Sequence, residues 1–209
     1  MARLLAVALM LAGSAAAADL GVETSDAAPP EEVAHAIAAA VGPGSVRIVD
    51  GEGPLAELWL REELPTSEAG QVLEVAFPGI EEGTLVGVVA LARPWQEYKA
   101  LAVAPGVYTL RYALRPADGN HMGVSTYRDF LLLTPAAGDE SADPMPPESL
   151  GAASMAATGQ PHPATLALFP VWDDLTEPAL LENDLGQPML GVPLGTLTLG
   201  LTLEGQGEH

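Results

Sequence analysis

The sequence predicts a mainly β protein, an antiparallel β-sandwich of the immunoglobulin or transthyretin kind with a short N-terminal helix and long loops. Three observations predict it. Short apolar runs recur between Gly and Pro punctuation. No long amphipathic helical pattern interrupts them. The chain of 209 residues is 48% hydrophobic despite 22 Gly and 19 Pro, enough apolar material for one well-packed core.

Residues 1–18 read as a secretory signal peptide, with Arg3 as its charge, Leu4 to Ala12 as its apolar stretch and Ala16-Ala17-Ala18 as the small-residue cleavage site. That apolar run falls short of the roughly 20 residues that span a bilayer. Residues 19–44 read as an acidic, flexible leader carrying one short helix over 31–41. Val33, Ile37 and Val41 lie on one stripe there, and Gly42-Pro43-Gly44 ends it. From 45 to 209 the chain reads as the β domain, with strands over 46–50, 55–61, 71–77, 84–91, 107–114, 128–134, 165–169 and 197–203. Two are written plainly. Tyr108, Leu110, Tyr112 and Leu114 alternate with Val107, Thr109, Arg111 and Ala113, and Leu197, Leu199, Leu201 and Leu203 alternate with small residues. Residues 135–163 read as a long surface excursion, and 171–193 as loop. Trp59 reads as core or a sheet-face residue, and so does Trp172.

Eight Lys and Arg against 28 Asp and Glu give a formal charge of −20. Such a chain predicts no nucleic-acid partner and no insertion into a membrane after signal cleavage. The absence of cysteine rules out thiolate metal sites, thiol chemistry and cysteine lipidation. A single lysine and abundant Ala, Gly, Pro and Leu suggest a GC-rich bacterium, so the predicted location is periplasmic or secreted.

Three segments carry a resemblance: Pro105-Gly106-Val107-Tyr108-Thr109-Leu110-Arg111-Tyr112, Asp118-Gly119-Asn120-His121-Met122-Gly123 and Arg128-Asp129-Phe130-Leu131-Leu132-Leu133. With Glu57-Leu58-Trp59-Leu60 and His162-Pro163-Ala164, they make residues 45–170 similar to a family of exported bacterial β-sandwich proteins without an assigned activity. The likeness implies export and a β fold, and no reaction.

The loop end over 115–127 is the leading binding region, joined by 93–99 and 160–164. Its candidate binding residues are Asp118, Asn120, His121 and Arg128, with Trp95 and Tyr98 as loop aromatics suited to stacking on a carbohydrate or anchoring a protein or small molecule. Two metal readings compete. Asp118, Asn120, Gly123, Thr126 and Asp129 follow part of the calcium-loop spacing, but Met122 stands where an oxygen ligand belongs and the flanks read as strands; a tight hairpin connection explains the same residues. His121 and His162, with Met122 or Asp129, form a copper or zinc set; a turn His and a loop His before proline explain those two equally.

No catalytic residue is assigned. Gly-x-Ser-x-Gly, His-Glu-x-x-His and phosphate-loop motifs are absent from the sequence, and any acidic chain offers carboxylate pairs. The predicted function is therefore a non-catalytic binding or accessory protein. A periplasmic copper or zinc binder is the alternative, and a hydrolytic enzyme the third reading.

Overall fold

In the computed structural model, which describes residues 20–96, 101–117 and 125–203, the chain is mainly β, 40% strand and 11% helix. In chain order the elements are β1 (Gly21–Ser25), α1 (His35–Ala38), β2 (Ser45–Asp50), β3 (Gly53–Leu60), β4 (Leu85–Leu91), β5 (Trp95–Gln96), β6 (Ala102–Val103), β7 (Gly106–Leu114), β8 (Asp129–Pro135), α2 (Pro147–Thr158), β9 (Thr165–Pro170), β10 (Ala179–Glu182), β11 (Pro188–Leu194) and β12 (Leu197–Thr202). Ten strands form one antiparallel sheet in the order β1-β2-β3-β4-β7-β8-β9-β12-β11-β10. The sheet is nearly barrel-shaped, and its edge strands β1 and β10 come together at a seam. Strands β5 and β6 make a separate small pair.

Strand β9 is the corner. Its first half pairs with β8 (Leu131 opposite Leu166), and its second half with β12 (Leu168 opposite Leu201). A strand that changes partners along its length turns a sheet back on itself. The inner face follows the alternation in the sequence: Leu58, Val89, Leu110, Leu131, Leu168, Leu190 and Leu199 belong to one buried cluster. Leu64, Phe77 and Ile80, from the long connection 61–84, join that cluster, so this connection plugs the interior rather than covering the surface.

Outside the sheet, Val33, Ile37 and Val41 pack on Trp59, Leu85 and Val88. The stripe read from the sequence is thus a docking face, although regular helix is confined to α1, whose N-cap Ala34 offers no side-chain acceptor. The Trp59 indole also donates to Ala27 O at 2.8 Å.

Several expectations need correction. Residues 21–25, read as flexible leader, pair along β2 from Gly21–Val49 to Ser25–Ser45. The strand expected at 71–77 is absent: Glu74 has φ of 59°, and the Ala76 and Phe77 N–H groups turn to the Asp129 carboxylate instead of to a neighbouring strand. Within 135–163 lies α2, twelve residues long, with Pro147 opening it, Glu148 favourably placed in its first turn and Gly159 in the left-handed conformation closing it. Within 171–193 lie β10 and most of β11.

Candidate functional site

Strand β7 sends consecutive side chains to opposite faces, and two polar networks follow from that. On the outer face Arg111 is buried, 1% exposed, and its guanidinium is saturated. Nε–H and one Nη2–H hold the Asp139 carboxylate at 2.6 and 2.8 Å. Nη1 donates to Gly83 O at 2.7 Å and Asp143 O at 2.9 Å, and Nη2 also reaches Ser141 O. Thr109 Oγ1 donates to the same carboxylate. On the inner face the Tyr112 hydroxyl donates to Asp129 Oδ1 at 2.6 Å, and that carboxylate also accepts from Ala76 N (2.8 Å) and Phe77 N (3.0 Å). Burial first, and the Asp129 carboxylate second, push the Tyr112 phenol well above its usual range.

These anchors frame a cavity of about 390 Å³ on the outer face, between α2 and strands β7 to β9. Its floor is Ala113, Phe130, Leu132 and Thr165; Pro147, Leu150 and Gly151 of α2 form one wall. Glu82, Arg115, Pro116, His162 and Pro163 complete it. The helix is held there by its own stripe: Leu150, Ser154 and Ala157 are buried, and Ser154 Oγ both donates to Ala164 O (3.2 Å) and accepts from Ala164 N (3.1 Å). His162 Nδ1 lies 2.8 Å from Pro163 O. A carbonyl only accepts, so the neutral ring carries its proton on Nδ1 and its lone pair on Nε2. Glu82 Oε2 accepts from Leu114 N at 3.1 Å.

The loop end at 115–116 and the segment at 162–163 therefore share one cavity. Arg128 sits behind it as a clasp: its N–H donates to Glu74 O (2.7 Å), its Nε to Arg115 O (2.8 Å), and its carbonyl accepts from Arg115 N (2.7 Å). Trp95 does not join the group. It is buried, and its indole donates to Leu203 O at 2.8 Å. It follows the end of β4 that pairs with Gly106, whereas Arg115 follows Leu114, so the two are separated by the length of β7, about 26 Å at roughly 3.3 Å per residue. Tyr98, Asp118, Asn120, His121 and Met122 lie outside the described residues.

The proposed pairing of His162 with Asp129 fails on geometry. Asp129 projects inward to Tyr112, while Phe130 and Leu132 project outward to the cavity that His162 lines, so the two sit on opposite faces of β8. Among the described residues, no group of three or more His, Asp and Glu is placed to hold a metal ion. Nor is any described helix long and apolar enough to cross a membrane. Trp172, read as core or a sheet-face residue, is 86% exposed and lies outside the strands, in the connection after β9.

Compared with known proteins, the chain matches no family model, no curated protein and no solved structure.

Proposed function

We propose that this is an exported, non-catalytic binding protein, periplasmic or secreted, whose ligand is a small, mainly apolar molecule with one anionic or hydrogen-bonding end. The observation that carries this reading is the cavity under α2. An apolar floor with Arg115, Glu82 and His162 grouped at it has the composition of a small-molecule site: apolar contact for affinity and a few polar groups for orientation. The same cavity joins two of the segments, 115–116 and 162–163, that the sequence nominates. In fold terms we read the near-barrel as a flattened, sandwich-like one, supported by the corner at β9.

The test uses anilinonaphthalene sulfonate, an apolar fluorophore with one anionic group. Gly151 has open space where a Cβ would stand, so Gly151→Leu extends a side chain from α2 towards the cavity without a backbone clash. It also removes a helix-interior glycine, worth up to about 1 kcal/mol in the helix's favour. The reading expects saturable 1:1 binding by the wild-type chain, weakened at least tenfold in Gly151→Leu at an unchanged or raised melting temperature. Equal binding by both proteins, or no saturable binding by either, overturns it.

A further inference from the structure

A second concavity, of about 460 Å³, opens on the same outer face, against the second half of β9. Its base is Phe169, Leu181 and Met189, and Tyr127 meets Phe169 edge to face with ring centroids 5.8 Å apart. Trp172 stands at its lip, the most exposed large apolar side chain among the described residues. The opposite wall is the hairpin turn that joins β10 to β11 and presents Glu182 and Asp184.

That turn is built to be rigid. Asn183 is buried; its side-chain carbonyl accepts from Leu185 N and Gln187 N, both at 3.0 Å, and its amide donates to Gln187 Oε1 (2.9 Å) and Thr202 Oγ1 (3.4 Å). Thr126 Oγ1 donates to Asp184 Oδ2 at 3.1 Å, which ties this wall to the Tyr127 wall. The groove is thus preorganised before any ligand enters.

Its chemistry is one-sided. Asp173, Glu182 and Asp184 line it as acceptors and carry all the formal charge of its lining, the Asn183 amide is spent on the turn, and the Tyr127 hydroxyl and the Trp172 indole N–H are the side-chain donors left. No Lys or Arg follows Arg128 anywhere in the sequence, so this half of the chain supplies no cation of its own. A neutral sugar would leave the negative charge of the three carboxylates unanswered. A metal needs carboxylates converging on one point, and these do not. Acceptors beside exposed aromatic faces suit a ligand that carries positive charge and an apolar body.

We propose that this groove binds a small organic cation, an alkyl- or arylammonium, whose apolar body lies against Trp172 and Tyr127 and whose ammonium group faces Glu182 and Asp184. The proposal is independent of the cavity under α2, which lies further along the same outer face and shares no lining residue with this groove.

The probe is phenylethylammonium, with phenylethanol as its neutral counterpart and a short lysine-bearing peptide as a third arm, titrated into the full chain by calorimetry and tryptophan emission. Trp59 and Trp95 are buried and Trp172 is not, so emission changes on binding report on Trp172. The expected result is saturable binding of phenylethylammonium, at least tenfold tighter than phenylethanol and weakened by added salt. Trp172→Ala, and separately Glu182→Gln with Asp184→Asn, each reduce affinity at least fivefold; all three side chains are exposed, so unchanged melting temperatures are expected alongside. Equal affinity for phenylethanol, no effect of Trp172→Ala, binding of the peptide alone, or no binding of any probe each overturns the proposal.

Discussion

Arg111 and Tyr112 are neighbours in sequence and opposites in physics. The Arg111 network lies outside the sheet and is a complete ion pair: both charges are buried, and all five guanidinium N–H groups have acceptors. The Tyr112 network lies inside and has one buried carboxylate, Asp129, met by a phenol and two backbone N–H groups. Each ties a long connection to β7: Arg111 holds 139–143 and Gly83 outside, and Asp129 holds 76–77 inside. The difference teaches how a sheet protein without disulfides immobilises long irregular segments. Where the segment is polar, a charge pair reads its carbonyls; where it is apolar, as at Phe77 and Ile80, a single carboxylate caps two N–H groups and apolar burial does the rest.

The two networks should therefore break unequally. The largest effect is expected from Arg111→Ala, which leaves Asp139 buried without its counter-charge. Truncating one member of a buried pair costs about 3–5 kcal/mol, and urea denaturation should show it. Replacing both, Arg111→Met with Asp139→Leu, should recover a substantial part, because the orphaned charge goes too. A double variant no more stable than Arg111→Ala would mean that the carbonyl contacts to 141 and 143 matter more than the pair. Next comes Gly83→Ala. Gly83 has φ of 88°, and a Cβ there would stand 1.9 Å from Met145 O. Because backbone, not a flexible side chain, is in the way, a loss of at least about 2 kcal/mol is expected in the same measurement. Gly138→Ala, with open space at its Cβ, is the control.

The inner network should break more gently. Tyr112→Phe removes one hydrogen bond to Asp129 and keeps the ring, at about 1–2 kcal/mol near neutral pH. Its pH dependence is more telling. The folded phenol ionises well above the usual Tyr value of about 10. Its contribution is therefore complete below that pH, and is lost as pH rises further and the unfolded chain gives up the proton that the folded chain keeps. Burial raises the Tyr108 phenol as well, so it adds to the same loss. Wild-type stability should fall above pH 10, and Tyr112→Phe should fall less steeply; parallel curves would mean that Tyr112 is not held as the proton-bound form.

Legibility in the sequence tracked the kind of interaction. Wherever apolar residues alternate over a long run, as in β7 and β12, strand and inward face were readable, since period two is what a half-buried strand imposes. Val33, Ile37 and Val41 were readable in the same way. Helix α2 was not, because its buried stripe has one large side chain, Leu150, with Ser154 and Ala157; its readable signals were Pro147 at the start and Gly159 at the end. Strand β11 hid behind Pro188 and Pro193, although Leu190, Val192 and Leu194 alternate along it. For the site, 115–116 and 162–163 line one cavity, but Trp95 and Asp129 were not placeable: a buried indole at the far end of β7 and a carboxylate capping residues some fifty positions away are products of tertiary packing. The aromatic groove drew on residues from four segments, and only Trp172 announced itself, as a core or sheet-face residue rather than the exposed lip it forms.

The smallest predicted effect sharpens the comparison from outside. Arg93 repeats the guanidinium–carboxylate pairing of Arg111 at the surface, reaching Asp50, and Glu52 at 2.7 Å. The Asp50 carboxyl is held below its usual value first by the Glu52 backbone N–H and only then by Arg93. Arg93→Ala should therefore raise the Asp50 pKa without restoring it, as followed by NMR titration of its side-chain carboxyl. A depressed carboxyl contributes stability that is present above its unfolded-state value and lost as pH falls through the folded one, so any difference between Arg93→Ala and wild type should be confined to acid. At neutral pH the melting temperature should fall far less than in Arg111→Ala, since solvent and salt reach this half-buried pair and its exposed third member Glu52, whereas they never reach Arg111. A large neutral-pH loss in Arg93→Ala would show that burial is not what separates the strong pair from the weak one.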